Sequence, residues 1–243
     1  MRTERPAWYA ASPGSWRDWV TVLHLPYTSW HLSYVLVGAG LAPSLSLERL
    51  LGTLLAFFLA VGIAAHALDE LRGRPLGTSI SSPVLAAAAG VSLAGAAAIG
   101  VVGVAQVGWG LVAFVVVGVV AVVGYNLELL GGRLHTDAVF ALAWGSFPVL
   151  TAYFAQAGTL RLSAGVAAAF AYGLSRAQRV LSTDARRLRR RVRSVEGTVV
   201  EADGSRREIT RQSLLHPLEG ALVALSWSVA ALGVALVLAR SGW

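Results

Sequence analysis

His66, Asp69 and Glu70 are followed closely by Arg72 and Arg74, in the run HALDELRGRPLGTSIS that closes a long apolar stretch. On a helix, positions 66, 69 and 70 are related by i, i+3 and i+4, which places an imidazole and two carboxylates on one face beside two guanidinium groups. Oxygen and imidazole donors in that arrangement suit a metal ion, and guanidinium groups suit an anion such as a phosphate. Charge near membrane depth costs about 2.5–3.5 kcal/mol on insertion scales, so such residues are functional candidates. The competing reading is an interfacial helix cap, with arginines that set topology and carboxylates that pair with them.

Two more polar clusters accompany the first. Asp184, Arg187 and Arg189 repeat the Asp-x-x-Arg-x-Arg spacing of Asp69, Arg72 and Arg74, within an arginine-rich run where a positive anchor or lipid-binding patch is the plainer explanation. Tyr125, Asn126, Glu128, Arg133, His135 and Asp137 surround Gly131-Gly132, a composition that fits either a re-entrant turn or a connecting loop, with Thr136 or Asp137 near the N-cap of the next helix. His24, His31 and His216 read as interfacial or packing residues. Glu219, close after Pro217, reads as a first-turn acid of the last helix.

The elements that must position these residues are membrane helices. The chain has 243 residues, of which 56% are hydrophobic and 14% charged, and its mean hydropathy is +0.63; a soluble fold would need an implausibly large core. A bilayer core of about 30 Å needs about 20 apolar residues per helix, and the chain offers seven such stretches, near 28–45, 50–68, 83–104, 107–127, 138–157, 162–181 and 218–239. The third and fourth are separated only by Ala105-Gln106, which demands a tight turn. No secretory signal pattern opens the chain, so the first span is expected to be retained. With no cysteine, disulfides and thiolate metal sites are excluded. The Trp residues read as interfacial belts.

The net charge of +7 comes from arginine alone, since the chain contains no lysine. Counting arginines with the N-terminus inside puts seventeen on the inner side and three on the outer, and an odd number of spans leaves the C-terminus outside. Concentration of the charge in one loop between spans argues for orientation and anionic lipid rather than nucleic acid. In that loop Asp203-Gly204 lies between two short β-prone runs, the signal for a hairpin, which is expected to rest on the inner face of the bundle. The expected fold is thus an all-α polytopic bundle with a small cytoplasmic β-hairpin between spans six and seven. It divides into an N-terminal segment over 1–27, the membrane bundle over 28–181, the basic loop over 182–215 and the last helix over 216–243.

The order of these pieces resembles the UbiA superfamily of intramembrane prenyltransferases, of the 4-hydroxybenzoate polyprenyltransferase type. The resemblance runs from about Trp19 to Arg190. It is carried by His24-Leu-Pro-Tyr-Thr at the first span, by Asp69 followed by Arg74-Pro75-Leu76 and Thr78-Ser-Ile-Ser, and by Tyr125 ahead of Gly131 to Asp137 and Trp144-Gly-Ser-Phe-Pro148. The family's Asp-rich sites lie at the inner ends of the second and sixth helices, where the first two clusters fall. Only Asp69 matches an acidic position of the first motif, with Glu70 as a substitute, while His66 and Gly73 stand at the others; Asp184 has no paired aspartate.

What the resemblance implies is an enzyme of a bacterial cytoplasmic membrane that transfers the isoprenyl group of an isoprenyl diphosphate. Asp69, Glu70 and Asp184 would be the catalytic residues, with Asp69, Glu70 and His66 as ligands of Mg²⁺. Arg72, Arg74, Tyr125, Arg133, Arg176 and Arg179 would contact the substrate, whose tail would lie in the apolar bundle. Two alternatives stand beside this one: a non-catalytic UbiA-like protein that binds an isoprenoid, an anionic lipid or a protein partner, and a transition-metal site for intramembrane hydrolysis on His66, Asp69, Glu70 and His135.

Overall fold

A computed structural model describes residues 7–11 and 14–241. Arg2 and Arg5, used above for orientation, lie outside the described residues. The fold is mostly helical: α1 (Ser15–Val22), α2 (Leu25–Leu41), α3 (Leu47–Leu71), α4 (Ser82–Val107), α5 (Gly110–Asn126), α6 (Asp137–Ala157), α7 (Leu162–Arg190), strands β1 (Thr198–Val200) and β2 (Arg206–Glu208), and α8 (Arg211–Ser241). Helices α3, α4, α6 and α8 are long and apolar enough to cross a membrane, and α5 is apolar but shorter. Their outer faces carry bare valines, among them Val91, 74% exposed, and Val101, 65% exposed. Such surface is stable only against lipid, so the chain is an integral membrane protein.

Local chemistry sets the helix ends. Ser46 caps α3 by accepting from the Arg49 N–H, and Thr136 caps α6 by accepting from the Val139 N–H at 3.2 Å. The turn between α4 and α5 falls on Gly108-Trp109, three residues beyond the expected break at Ala105-Gln106, because Gly108 alone there adopts a positive φ of 112°. Helix α8 begins at Arg211 and carries Pro217 inside it, so the helix starts earlier than Pro217 suggested. Thr210 and Ser213 exchange side-chain-to-backbone bonds at 2.9 and 3.1 Å and form that earlier cap.

Helix α2 is the axis of the bundle. Trp30 and Tyr34 are fully buried on it, packed with Val149 of α6, Ala171 of α7 and Val229 of α8. The Trp30 Nε1–H donates to the Tyr34 hydroxyl at 2.7 Å, and that hydroxyl meets Ser175 Oγ at 3.1 Å, so the polar tips of both rings are satisfied inside apolar packing. Close approach depends on small residues: a Cβ at Gly38 would fall 2.2 Å from the Val149 carbonyl oxygen, and one at Gly40 would fall 2.7 Å from the Leu236 Cβ. Backbones so near one another gain dispersion contacts that lipid cannot supply.

Strands β1 and β2 pair antiparallel, Val199 opposite Arg207, around the Asp203-Gly204 turn as the sequence suggests. They do not rest on the bundle: only Val199 is partly covered, and the rest of both strands is exposed. The apolar contacts of this loop sit at its base instead, where Ala185, Leu188 and Leu215 pack with Val192 and Val195. Arg189 donates to both Glu219 oxygens, one bond measuring 2.7 Å, which ties α7 to α8 and gives Glu219 a partner that the helix dipole alone did not require.

Candidate functional site

Two stretches of π-helix, Phe58–Ala65 in α3 and Leu142–Ser146 in α6, shape the site. Widening a turn takes carbonyls out of the i→i−4 ladder and leaves them for side-chain donors. Two buried carbonyls of these stretches are used that way: Gly62 O accepts from His66 Nδ1 at 3.1 Å, and Trp144 O accepts from His31 Nδ1 at 2.8 Å. His24 Nδ1 donates to Val22 O at 2.7 Å and His135 Nδ1 to Tyr125 O at 3.1 Å. A carbonyl can only accept, so all four rings carry a proton on Nδ1 and, when neutral, present Nε2 as a bare acceptor.

These rings converge at the arginine-rich end of the bundle. His24 stacks on His66 with centroids 4.3 Å apart, and Tyr125 stacks on His135 at 4.4 Å. His24 sits in the left-handed region at φ 46°, a strained backbone position held by the packing around it. Burial, and next the His66 imidazole, hold its pKa well below the usual histidine range, so it is neutral at pH 7. Tyr9 lies over the pair, 5.1 Å from the His24 ring and 5.5 Å from Tyr27, and burial raises its hydroxyl pKa.

Asp69 is the carboxylate of this cluster. The charged and titratable groups within electrostatic reach of it are His66, Arg186, His135 and Glu70. Arg186, on α7, is surrounded by Arg179, Arg190, Tyr27 and Tyr9. Its guanidinium donates to the Thr183 hydroxyl in a long bond of 3.4 Å, and among the described residues it forms no ion pair. The buried Tyr125 hydroxyl, in electrostatic reach of Arg179, Asp69 and Arg186, has no hydrogen-bond partner among the described residues. A guanidinium without an ion pair, in electrostatic reach of a phenol without a hydrogen bond, is an anion-binding arrangement.

The remaining expected residues serve other ends. Glu70 is fully buried and turned away from Asp69: its oxygens accept from Leu76 N at 3.0 Å, Thr78 N at 2.9 Å and Thr78 Oγ1 at 2.8 Å, so it anchors the loop over 72–80. Arg72 reaches Leu127 O and Glu128, each at 2.8 Å, and Arg74 donates to Ile80 O and, at 2.7 Å, to Ser82 Oγ. Both arginines therefore clasp loops instead of flanking Asp69. Arg133 is exposed at the Gly131-Gly132 turn. Arg179 and Arg176 hold Asp137 at 2.7 and 3.5 Å, with Arg179 also over the Phe140 ring.

Asp184 does not join Asp69. It is exposed and pairs with Arg187 one turn on. At about 100° per residue, two residues put it on the face of α7 opposite Arg186. The buried face of that helix runs Ser175, Gln178, Ser182 and Ala185, so the i, i+7 pair Arg179 and Arg186 borders the face that meets the bundle. That spacing was the sequence signal for Arg186, hidden among eight further arginines between 176 and 207 that the loop also carries.

The donor set does not build a resident metal centre. Among the described residues no three His, Asp or Glu side chains gather around one point. Glu70 spends both oxygens on the loop, which leaves Asp69 as a single carboxylate. Neither the Mg²⁺ set of Asp69, Glu70 and His66 nor a transition-metal set with His135 is assembled.

One helical turn from the cluster begins an apolar cavity of about 230 Å³ between α3, α4, α5 and α6. Its inner end is formed by Val61, Val122 and Trp144, and the Trp144 ring meets Tyr125 edge-on at 5.7 Å. Tyr125 thus stands between the polar cluster and the cavity. No family model, curated protein or solved structure matches this chain.

Proposed function

We propose that the chain is a UbiA-like intramembrane protein that receives an isoprenyl diphosphate and transfers its isoprenyl group to an acceptor. In this reading seven helices, α2 to α8, span a bacterial cytoplasmic membrane with the arginine-rich loop inside. One observation carries it: a polar cluster in which, among the described residues, Arg186 has no ion pair and the buried Tyr125 hydroxyl no hydrogen bond abuts an apolar cavity inside a membrane bundle. A ligand satisfying both is an anionic head on an apolar chain.

The chemistry follows from the placement. Arg186 and the Tyr125 O–H donate to diphosphate oxygens. The bond from the allylic carbon to the diphosphate oxygen breaks and its electron pair leaves with the diphosphate, whose growing charge the guanidinium offsets. The electron-rich faces of Tyr125 and Trp144 front the allylic cation. The acceptor attacks that carbon, and the proton it loses passes to Asp69.

The test is binding and turnover of labelled isoprenyl diphosphates by purified protein in nanodiscs. Arg186→Ala weakens binding by about 10- to 100-fold, the loss of one or two charge-assisted bonds, whereas Asp69→Asn leaves binding and abolishes turnover. Absence of any binding refutes the reading. Because Asp69 stands alone as a carboxylate, a second reading follows, an isoprenoid-phosphate binder without catalysis. Binding with no turnover, unaffected by Asp69→Asn, selects it.

A further inference from the structure

The cavity has a floor as well as a mouth. At the end of the bundle away from the cluster, Arg49 donates to Gln106 O at 2.9 Å and to Gln156 O at 3.3 Å, and the Gln106 side chain donates to Glu48 at 2.7 Å. Gln156 in turn accepts from Ser46 N at 2.7 Å. These bonds link α3, α4 and α6 across the cavity's far end, where Glu48, Arg49 and Gln106 are lining residues. Past them an apolar chain leaves the slot for the polar, exposed rim of the bundle, where further methylenes gain no burial.

We propose that this polar floor measures the donor: the cavity selects isoprenyl chains of three to four isoprene units, and Arg49 with Gln106 sets the limit. The inference rests on the isoprenyl diphosphate reading above and deepens it. Along α3 the lining runs from Glu48 to Val61 and along α4 from Leu93 to Val107, which at about 1.5 Å per residue is on the order of 20 Å of helix. Four carbon–carbon bonds of about 1.5 Å advance an extended isoprene unit by about 5 Å. Three to four units therefore fill the distance from Trp144 to Arg49. Small residues such as Gly52, Ala56, Ala97 and Gly100 make room between larger apolar ones such as Phe57 and Phe114, and the two hydroxyls along the length, Thr53 and Thr151, are spent on carbonyls of their own helices.

The experiment is competition binding in nanodiscs, with isoprenyl diphosphates of two, three, four and six units displacing a labelled four-unit probe. Affinity rises to three or four units and falls at least about fivefold at six. Thr53→Phe, eight residues or about 12 Å from the inner end at Val61 and so beyond the reach of two units, weakens the four-unit ligand at least about tenfold and leaves the two-unit ligand within about twofold, so retained short-chain binding reports an intact fold. The double change Arg49→Ala with Gln106→Ala removes the preference against six units. A wild-type protein that binds none of the four overturns the proposed function and this inference with it. Binding without a length optimum, or an optimum unmoved by Thr53→Phe, overturns the polar floor alone. Retention of a phospholipid that no diphosphate displaces overturns the assignment of the slot to the donor.

Discussion

Replacing Glu70 by Gln separates a loop anchor from a metal ligand. The carboxylate accepts three bonds from the segment that follows it, two from backbone N–H groups and one from the Thr78 hydroxyl, with no exposure to solvent. Gln keeps one acceptor oxygen and puts an NH₂ where the other stood, so either Leu76 N–H or Thr78 N–H faces a donor. A hydrogen bond to a charged group contributes about 1.5–3 kcal/mol, and an orphaned buried N–H costs about 1–3 kcal/mol, so the loop loses about 3 kcal/mol of local stability. That is about a hundredfold more of the open state. The assay is limited trypsin cleavage after the exposed Arg72, with the rate following the open population. Glu70→Gln accelerates cleavage there by about a hundredfold and leaves cleavage in the hairpin loop, near Arg206 and Arg207, unchanged. If cleavage stays within about twofold while diphosphate binding disappears, Glu70 is a ligand and the anchor reasoning is wrong.

The other predictions concern α1, α2 and α7. Asp18 accepts from the Ser79 hydroxyl and N–H, which hold its carboxyl below the usual range, so its contribution is complete above the unfolded pKa of about 3.9 and is lost as pH falls through the folded value. The clasp between α1 and the loop over 72–80 therefore opens below about pH 4, seen as a change in Trp19 fluorescence that Asp18→Asn removes. Gly38→Ala puts a methyl 2.2 Å from the Val149 carbonyl oxygen; both partners are backbone, so unfolding in mixed micelles shows a loss of at least about 3 kcal/mol, the upper part of the overpacking range. Asp184→Asn changes stability by less than about 0.5 kcal/mol and leaves ligand binding alone, because its ion pair with Arg187 is exposed.

Much of the fold was legible along the chain. Apolar runs of membrane length and the Asp203-Gly204 turn each locate an element whose cause is local, and the structure places a helix on every apolar run and a strand on either side of the turn. Thr136 before Asp137 marked a helix start for the same reason, since a capping hydroxyl acts within three residues. The pairing of Asp69 with His66 was also readable, being a matter of helix periodicity.

What the chain alone did not reveal is where the neighbouring charges go. Glu70, Arg72 and Arg74 share a helix end with Asp69, yet each turns to a loop carbonyl, amide or carboxylate that comes from elsewhere in the chain or doubles back on it. Asp184 and Arg186 differ by two positions and face opposite sides of α7, and only the packing of α7 decides which side meets the bundle. His24 and His66 are 42 residues apart and stack ring on ring because the turn after α1 brings them together. Sequence by itself determined the helices and the chemistry available at their ends, since propensity, capping and apolar length are local quantities. Tertiary structure decided which charges are spent on holding loops and which, Asp69 and Arg186, come within electrostatic reach of one another without pairing, because a long polar side chain takes the nearest partner that packing presents.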